Sequence, residues 1–563
     1  MKNIIIFGGG ISGLTCAHEL IEKGFNVTII EKDSILGGMA RSRRENNNIP
    51  SEHSWRGYAP FYNNTFDIMK RIPLLDNKLS RTVYDNLSKP ITFYTVRDII
   101  SPYENKLIIN DYVWVAYFLL KYICSNNRRD EYYTIKLKDI FKDKISSDGY
   151  RFLIDFVCGP GYGMEKKDAS YAHYFKFMSI DILGQSVYNH KHNYINDNDE
   201  KIEYNSKAND KWHVMNQPTN EGWFDHWKNY LIKKGVKILM NLELTKINSS
   251  ASKIINCIVN NNIILEADEF ILCINPFNLE QIFKKSRSDK SGNQINKLYN
   301  QHVLLNKNTS SKQVAFRLGF TKNIKFPINN IAFIFPDSDF NITLYPQENS
   351  WKKDIKLDNI NKIKSLWSGT IIELYRKSTL FNKLGLYLTK DELIDEIKFQ
   401  ILRSKSFQKL IFDNNNFYLD KSDIFYTEIW YEWHIDPTTN QLEQTNKKWV
   451  TNIYNEKFRP LAQEYSSEKT SLSNLYIGGA HTKTSISTWS MESAVESGKI
   501  ISNLILDKYN LSKTYLHIHT DPNYLNIFKY IDDILYKFKL PNIIDIILFI
   551  LFLVVIYYFI NKF

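Results

Sequence analysis

The sequence predicts an α/β chain: a Rossmann-like domain assembled from discontinuous segments, an inserted α+β domain and a C-terminal transmembrane helix. Three observations carry this. A short apolar run, Lys2–Phe7, breaks into a glycine-rich turn and resumes at helical spacing. The same strand–helix rhythm returns near residues 235–276 and again near 474–498. Close to the C-terminus, Ile546–Ile560 is an unbroken apolar run.

The opening element is the most informative. Ile4, Ile5, Ile6 and Phe7 suit a strand buried on both faces, and Leu14, Ala17, Leu20 and Ile21 follow at helical steps. Between them stands Gly8-Gly9-Gly10-Ile11-Ser12-Gly13, a G-x-G-x-x-G in the strand–turn–helix setting where that pattern is specific. Gly8 permits the tight turn, Gly10 lets backbone approach a pyrophosphate, and Gly13 lets helix and strand pack closely. Ser12 lies in the first helical turn, whose N–H groups and dipole favour an anion. The second strand, Asn26–Glu31, ends in an acid suited to an adenosine ribose, with Lys32 beside it. A glycine-rich turn with a chance surface acid is the competing reading, and the full context disfavours it.

After Glu31 comes a second glycine pair, in Gly37-Gly38-Met39-Ala40-Arg41. Here the chain resembles the flavin amine oxidases, phytoene-type desaturases and protoporphyrinogen oxidases. That resemblance implies FAD, with Gly38, Met39, Ala40 and Arg41 along its diphosphate. The stretch Ser51–Tyr62 resembles a segment that passes the flavin ring in desaturase-like members, which makes His53 and Arg56 site candidates. A structural histidine and a diphosphate-paired arginine are the alternatives.

Composition narrows the class. The 563 residues are 43% hydrophobic and 14% aromatic, ample for more than one packed domain. The net charge of +11 is scattered rather than blocked, and no nucleic-acid motif is present. Attraction to an anionic membrane surface is the better use of that charge, and nucleic acid is not an expected partner. Cys16, Cys124, Cys158, Cys257 and Cys273 are widely spaced, without C-x-x-C or a His/Cys cluster. They read as reduced thiols, with neither disulfide nor metal site. Met1 leads straight into the first strand, whose run is broken by three glycines, unlike a signal peptide.

The expected order is a first nucleotide segment at 1–75, a helical substrate domain at 76–214, and a second nucleotide segment at 215–289. A substrate-domain sheet at 290–454, a third nucleotide segment at 455–510, an amphipathic linker at 511–540 and an anchor at 541–560 follow. Tyr112–Ile123 is a helix-like run too short and too polar-flanked to be a second span, and 193–209 reads as a polar loop. In the second nucleotide segment the resemblance places backbone near Leu244 against adenine. Trp430–His434 is aromatic enough to line a pocket, but reads better as a core strand.

The third segment runs Asn474–Ala480 into Met491-Glu492-Ser493-Ala494, close to the resembled family's closing motif. By resemblance, Gly479 ends the strand and Met491 starts a helix aimed at the flavin, with Trp489 beside the ring. The family's acid after the second glycine is Ala480 here, which bears on FAD binding. No cysteine lies in this segment, so a cysteinyl-flavin bond is not expected and FAD is noncovalent.

These features together predict a membrane-anchored FAD-dependent oxidoreductase. It would transfer a hydride from an apolar lipid- or isoprenoid-like substrate, or from an amine, to flavin N5. A non-redox enzyme resembling UDP-galactopyranose mutase and a degenerate, membrane-tethered binding protein are the alternatives. With residues 542–545 the apolar run reaches 19 residues, roughly 28 Å of helix. Lys537 and Lys539 precede it and place the body on the cytosolic side. A core helix is the competing reading. Electron acceptor and particular substrate stay open.

Overall fold

The computed structural model describes residues 2–562 apart from 45–47, 55, 76–80, 89–90, 97–100, 103–106, 185–189, 196–200, 207–211, 288–291, 310–311, 329, 336–337, 353–354, 356, 358–361, 464–471 and 522.

The opening sequence folds as strand β1 (Asn3–Phe7), helix α1 (Ile11–Ile21) and strand β2 (Asn26–Ile30). Strands β3 (Lys237–Leu239), β4 (Glu269–Leu272) and β5 (Leu475–Ile477) complete a parallel sheet in the order β5–β4–β1–β2–β3. Alternate residues of β1 enter different cores: Ile4 and Ile6 pack on one face, Ile5 and Phe7 on the other. A strand buried on both sides has to read as a continuous apolar run, as Ile4–Phe7 does. On the second face lie a three-stranded antiparallel sheet (Leu244–Ser249, Ile254–Val259, Ile263–Leu265) and the helix Pro276–Ser286.

The segments between these visits build a seven-stranded sheet. Its order is Ile424–Ile429, Val314–Phe320, Ser365–Ile371, Ile342–Pro346, Ile331–Phe335, Thr92–Thr95, Ser101–Pro102. The two last strands come from the early segment expected to be wholly helical. The helix Lys390–Leu402 covers this sheet, with Thr389 and Glu392 forming a reciprocal capping box. The stretch expected as a polar loop around 193–209 carries two antiparallel strands, His190–Ile195 and Lys201–Ser206.

Two helices of the early segment, α2 (Ile109–Ile123) and α3 (Tyr171–Leu183), share one apolar core with α1. Helix α4 (Met491–Lys508) packs along α1, and its buried Lys499 bridges Glu19 of α1 at 3.0 Å and Asp67 at 2.5 Å. The chain ends in α5 (Asn526–Lys537) and α6 (Ile543–Lys562). α6 is long and apolar enough to cross a membrane, and its residues from Leu548 onward are exposed. Its first turn is docked: Asp545 accepts from Lys121 at 2.8 Å and Tyr117 at 2.6 Å of α2, and Asn542 is buried. α5 packs Phe528 and Leu535 on the core and buries charge beside them. Lys529 and Asp532 face inward, while Ile527, Tyr530, Ile531, Ile534 and Phe538 form an exposed apolar stripe at three- and four-residue steps.

Candidate cofactor cleft and adjoining chamber

A cleft of about 270 Å³ opens at the carboxyl ends of the parallel strands, where ligands of open α/β sheets bind. Its wall includes Gly8, Gly10, Ser12, Glu31, Lys32, Gly38, Met39, Ala40, Arg41, Leu244, Gly479 and Met491, the nucleotide-binding residues expected from sequence except Gly13. Gly13 acts from behind, since a Cβ there would stand 2.0 Å from the Gly8 carbonyl oxygen. Gly8 makes the turn with φ +103°, and its N–H donates to Ile30 O at 2.8 Å. Gly10 is different in kind: a Cβ there would meet only the Cα of Gly38, at 3.7 Å. Protein packing does not require that glycine, whereas a ligand lying against the turn would.

Three further observations fit a dinucleotide. The first turn of α1 begins at Gly10 with no side-chain cap and no acidic residue, so its N–H groups await an anion. Arg41, 5% exposed, has a buried Nε without a hydrogen-bond partner. Glu31 accepts from the N–H of Gly9 at 2.6 Å and of Asp33 at 2.9 Å, which leaves lone pairs on both carboxylate oxygens for hydroxyl donors. Burial raises the Glu31 carboxyl above its ordinary range, against those two backbone donors. The residues present therefore fit a bound dinucleotide.

Arg41 is held from the inserted segment. Its Nη2 donates to Glu432 Oε1 at 2.8 Å and to Tyr431 Oη at 2.5 Å, and its Nη1 lies 3.2 Å from Asp33. Asn446 extends the network, donating to Glu432 at 2.7 Å and accepting from Lys32 Nζ at 2.8 Å. Sequence reading missed Glu432 and Asn446. The Trp430–His434 run, read as a core strand, is a turn at Tyr431–Glu432, with Trp430 and Glu432 buried and Tyr431 exposed, that enters the short strand Trp433–Ile435.

At the other end of the cleft stand Gly479, Ala480, His481, Trp489 and Met491. Buried Arg459 staples this loop, donating to Ala480 O at 2.8 Å, Thr482 O at 2.7 Å and Ser487 O at 2.5 Å. Ala480 puts no carboxylate here, and burial, His302 and Arg459 keep His481 neutral well below the usual histidine range. Ser490 caps α4 by accepting from Ser493 N–H at 3.1 Å.

Arg56 and Trp489 line the cleft and also a second chamber of about 130 Å³, together with Ser490 and Met491. Tyr62, Tyr162, Phe177, Trp212, Gln313 and Lys448 close this chamber. Arg56 is anchored through its guanidinium to the carbonyls of Met39 at 2.6 Å and Ser54 at 3.3 Å. His53 lies behind both walls, 5% exposed, its ring 6.0 Å from Trp430. Burial, then the charges of Lys448 and Arg56, hold its imidazole neutral. Lys448 carries no sequence signal beyond being a lysine beside an apolar tryptophan.

Comparison with known proteins agrees with this geometry. Residues 6–72 match the family model for the NAD(P)-binding Rossmann-like domain. A 37-residue stretch is 49% identical to part of the ferredoxin/F420H2-dependent CoB-CoM heterodisulfide reductase of Methanosarcina acetivorans, covering 7% of this chain and 5% of the matched polypeptide. Over the whole fold, 90% of the chain superposes on 99% of a putrescine oxidase variant (TM-score 0.57, 11% identity). Cyclohexylamine oxidase from Brevibacterium oxydans IH-35A gives 90% and 99% coverage (TM-score 0.54, 12% identity). An oxidoreductase from Methanosarcina mazei gives 89% and 99% (TM-score 0.55, 11% identity). The chain thus carries a Rossmann-like nucleotide-binding domain. Its fold as a whole is the one seen in these amine oxidases.

Proposed function

We propose that the protein is an FAD-dependent oxidoreductase that takes a hydride from a small substrate seated in the aromatic chamber. The observation that carries this reading is the junction: the nucleotide cleft and the chamber share Arg56, Trp489, Ser490 and Met491. Bound noncovalently, FAD supplies the hydride acceptor that the protein's own side chains do not. Gly8, Gly10, Ser12 and the uncapped turn of α1 hold the diphosphate, with Gly13 setting the turn. Gly38, Met39, Ala40 and Arg41 flank it, Glu31 and Lys32 take the ribose, and Leu244 faces the adenine. Gly479, Met491 and Trp489 border the redox end. Arg56 and the aromatic walls orient the substrate and exclude water, while His53 supports them from behind. The seven-stranded sheet and α2–α3 serve as the substrate side.

We also propose that α6 anchors the chain in a membrane with the body on the cytosolic face. Its exposed apolar length, the exposed stripe on α5, and Lys537 and Lys539 between them support this.

Anaerobic mixing with candidate amines and other small reductants, followed at the oxidised-flavin absorbance band, tests the oxidoreductase reading. Bleaching by a subset that fits the chamber is expected. A flavin band that no such compound bleaches would contradict it.

A further inference from the structure

We propose that the chamber recognises an anion: its ligand presents a carboxylate or similar small anionic group to Lys448 and Arg56, with a flat apolar body against the aromatic lining. The inference rests on the proposed function for what reacts in the chamber, but not for what binds there.

Lys448 is 9% exposed, and its ammonium donates to the side-chain carbonyl of Gln313, a neutral group. Among the described residues no carboxylate pairs with it, and the charge that acts on it is the Arg56 guanidinium. The acid that acts most on Arg56 is Glu52, which is already engaged. It accepts from Thr219 N–H at 2.9 Å, Thr219 Oγ1 at 2.6 Å and Gln347 Nε2 at 2.8 Å. Buried Arg317 also leans on that residue, donating to its backbone carbonyl at 3.0 Å. Asp181 stands behind the wall, with Tyr162 Oη donating to it at 3.3 Å, and it does not line the chamber. The chamber therefore holds more buried positive charge than its described acids balance.

A buried ammonium without a counter-ion is costly, and proteins keep one chiefly where a ligand completes it. A purely apolar ligand would leave Lys448 unpaired. A protonated amine would meet two like charges, an arrangement that selects against binding. The body of the ligand is set by the lining. Tyr162 packs on Phe177 at 4.4 Å, Phe177 on Trp212 at 6.3 Å and Trp212 on Tyr62 at 6.1 Å between ring centroids, one continuous aromatic panel against which a flat body can lie. A volume of about 130 Å³ is close to that of a cavity that takes benzene, about 150 Å³. Benzoate and benzylammonium are then probes of similar size and opposite charge.

The test is isothermal titration of the full-length, detergent-solubilised protein with sodium benzoate and with benzylamine hydrochloride, the visible spectrum being recorded on the same sample. Benzoate is expected to bind at least about tenfold more tightly than benzylammonium, with K448M losing about tenfold or more and K448R retaining most of the affinity. Equal or tighter binding of benzylammonium, or an unchanged K448M, would overturn the proposal. If K448M does not fold, the preference of the wild-type protein between the two probes decides alone. A yellow protein that ignores benzoate overturns the anion site and leaves the flavin reading standing. A colourless one that binds benzoate does the reverse.

Discussion

Arg41 Nη2 donates to Glu432 Oε1 at 2.8 Å, a buried ion pair that joins the loop after β2 to a turn 391 positions later. Glu432 accepts in addition from Gln444 at 2.9 Å and Asn446 at 2.7 Å. The pair ties the nucleotide cleft to the seven-stranded sheet. Glu432→Ala should leave the guanidinium with Asp33 as its one remaining ion-pair partner among the described residues and destabilise the protein by up to about 3 kcal/mol. Thermal melting with and without added FAD checks this, and a melting temperature within a degree of wild type would show the pair to be dispensable.

The glycines of the first turn should separate by function. Gly13→Ala drives a Cβ to 2.0 Å from a backbone oxygen, so folding should fail or the melting temperature should fall steeply. Gly10→Ala meets open cleft, so the fold should persist while flavin content drops. Circular dichroism and flavin absorbance measure the two quantities separately. Equal flavin content in wild type and Gly10→Ala would remove the diphosphate from that turn.

Burial, then the charge of Arg56, brings the Lys448 ammonium down to about 8 from an ordinary value of 10.5. His53, also beside it, is neutral and does not offset this. Below pH 8 both the folded and unfolded states carry the proton and the folded state bears the full cost. Between 8 and 10.5 the unfolded state binds more protons, so stability rises with pH; above 10.5 the cost is gone. Lys448→Met should thus stabilise the ligand-free protein by roughly 3 kcal/mol at pH 7, a gain that fades above pH 8. Denaturant melts at pH 7 and pH 10 decide the point, and a destabilised or pH-independent K448M would refute it.

The anchor should be cut with care. Asn542, Ile543 and Asp545 belong to the folded body, through Ser125 at 2.8 Å, Asp532 at 3.0 Å and Lys121 at 2.8 Å. Truncation after Ile547 should keep the fold and abolish resistance to alkaline extraction. The stripe on α5 should still give weak vesicle binding, which Ile527→Asp together with Phe538→Asp removes. A truncated chain that stays resistant to extraction would show that α6 is not the anchor.

How much of this was legible in the sequence differs by region. The run Ile4–Phe7 and the glycines after it are read locally, because a buried parallel strand and a phosphate turn each impose their own residue pattern. The end of β5 and the start of α4 were legible for the same reason. Glu432, Asn446 and Lys448 were not, because their meaning is made by residues hundreds of positions away. The charge balance of the chamber depends on which acids end up facing Arg56. Lys529 and Asp532 mislead in another way: a sequence pattern assigns charged residues to the wet face of α5, whereas here Arg128 and Asp521 take them inward and Ile531 and Phe538 are left outside.

We propose above all that the cleft from Gly8 to Met491 holds FAD without a covalent bond. Acid precipitation of the purified protein, with chromatography of the supernatant, tests it most directly. A yellow preparation that releases about one FAD per chain is expected, with a Gly10→Ala variant that releases little or none. A colourless preparation that takes up no added FAD, or flavin that remains with the precipitated protein, would contradict it.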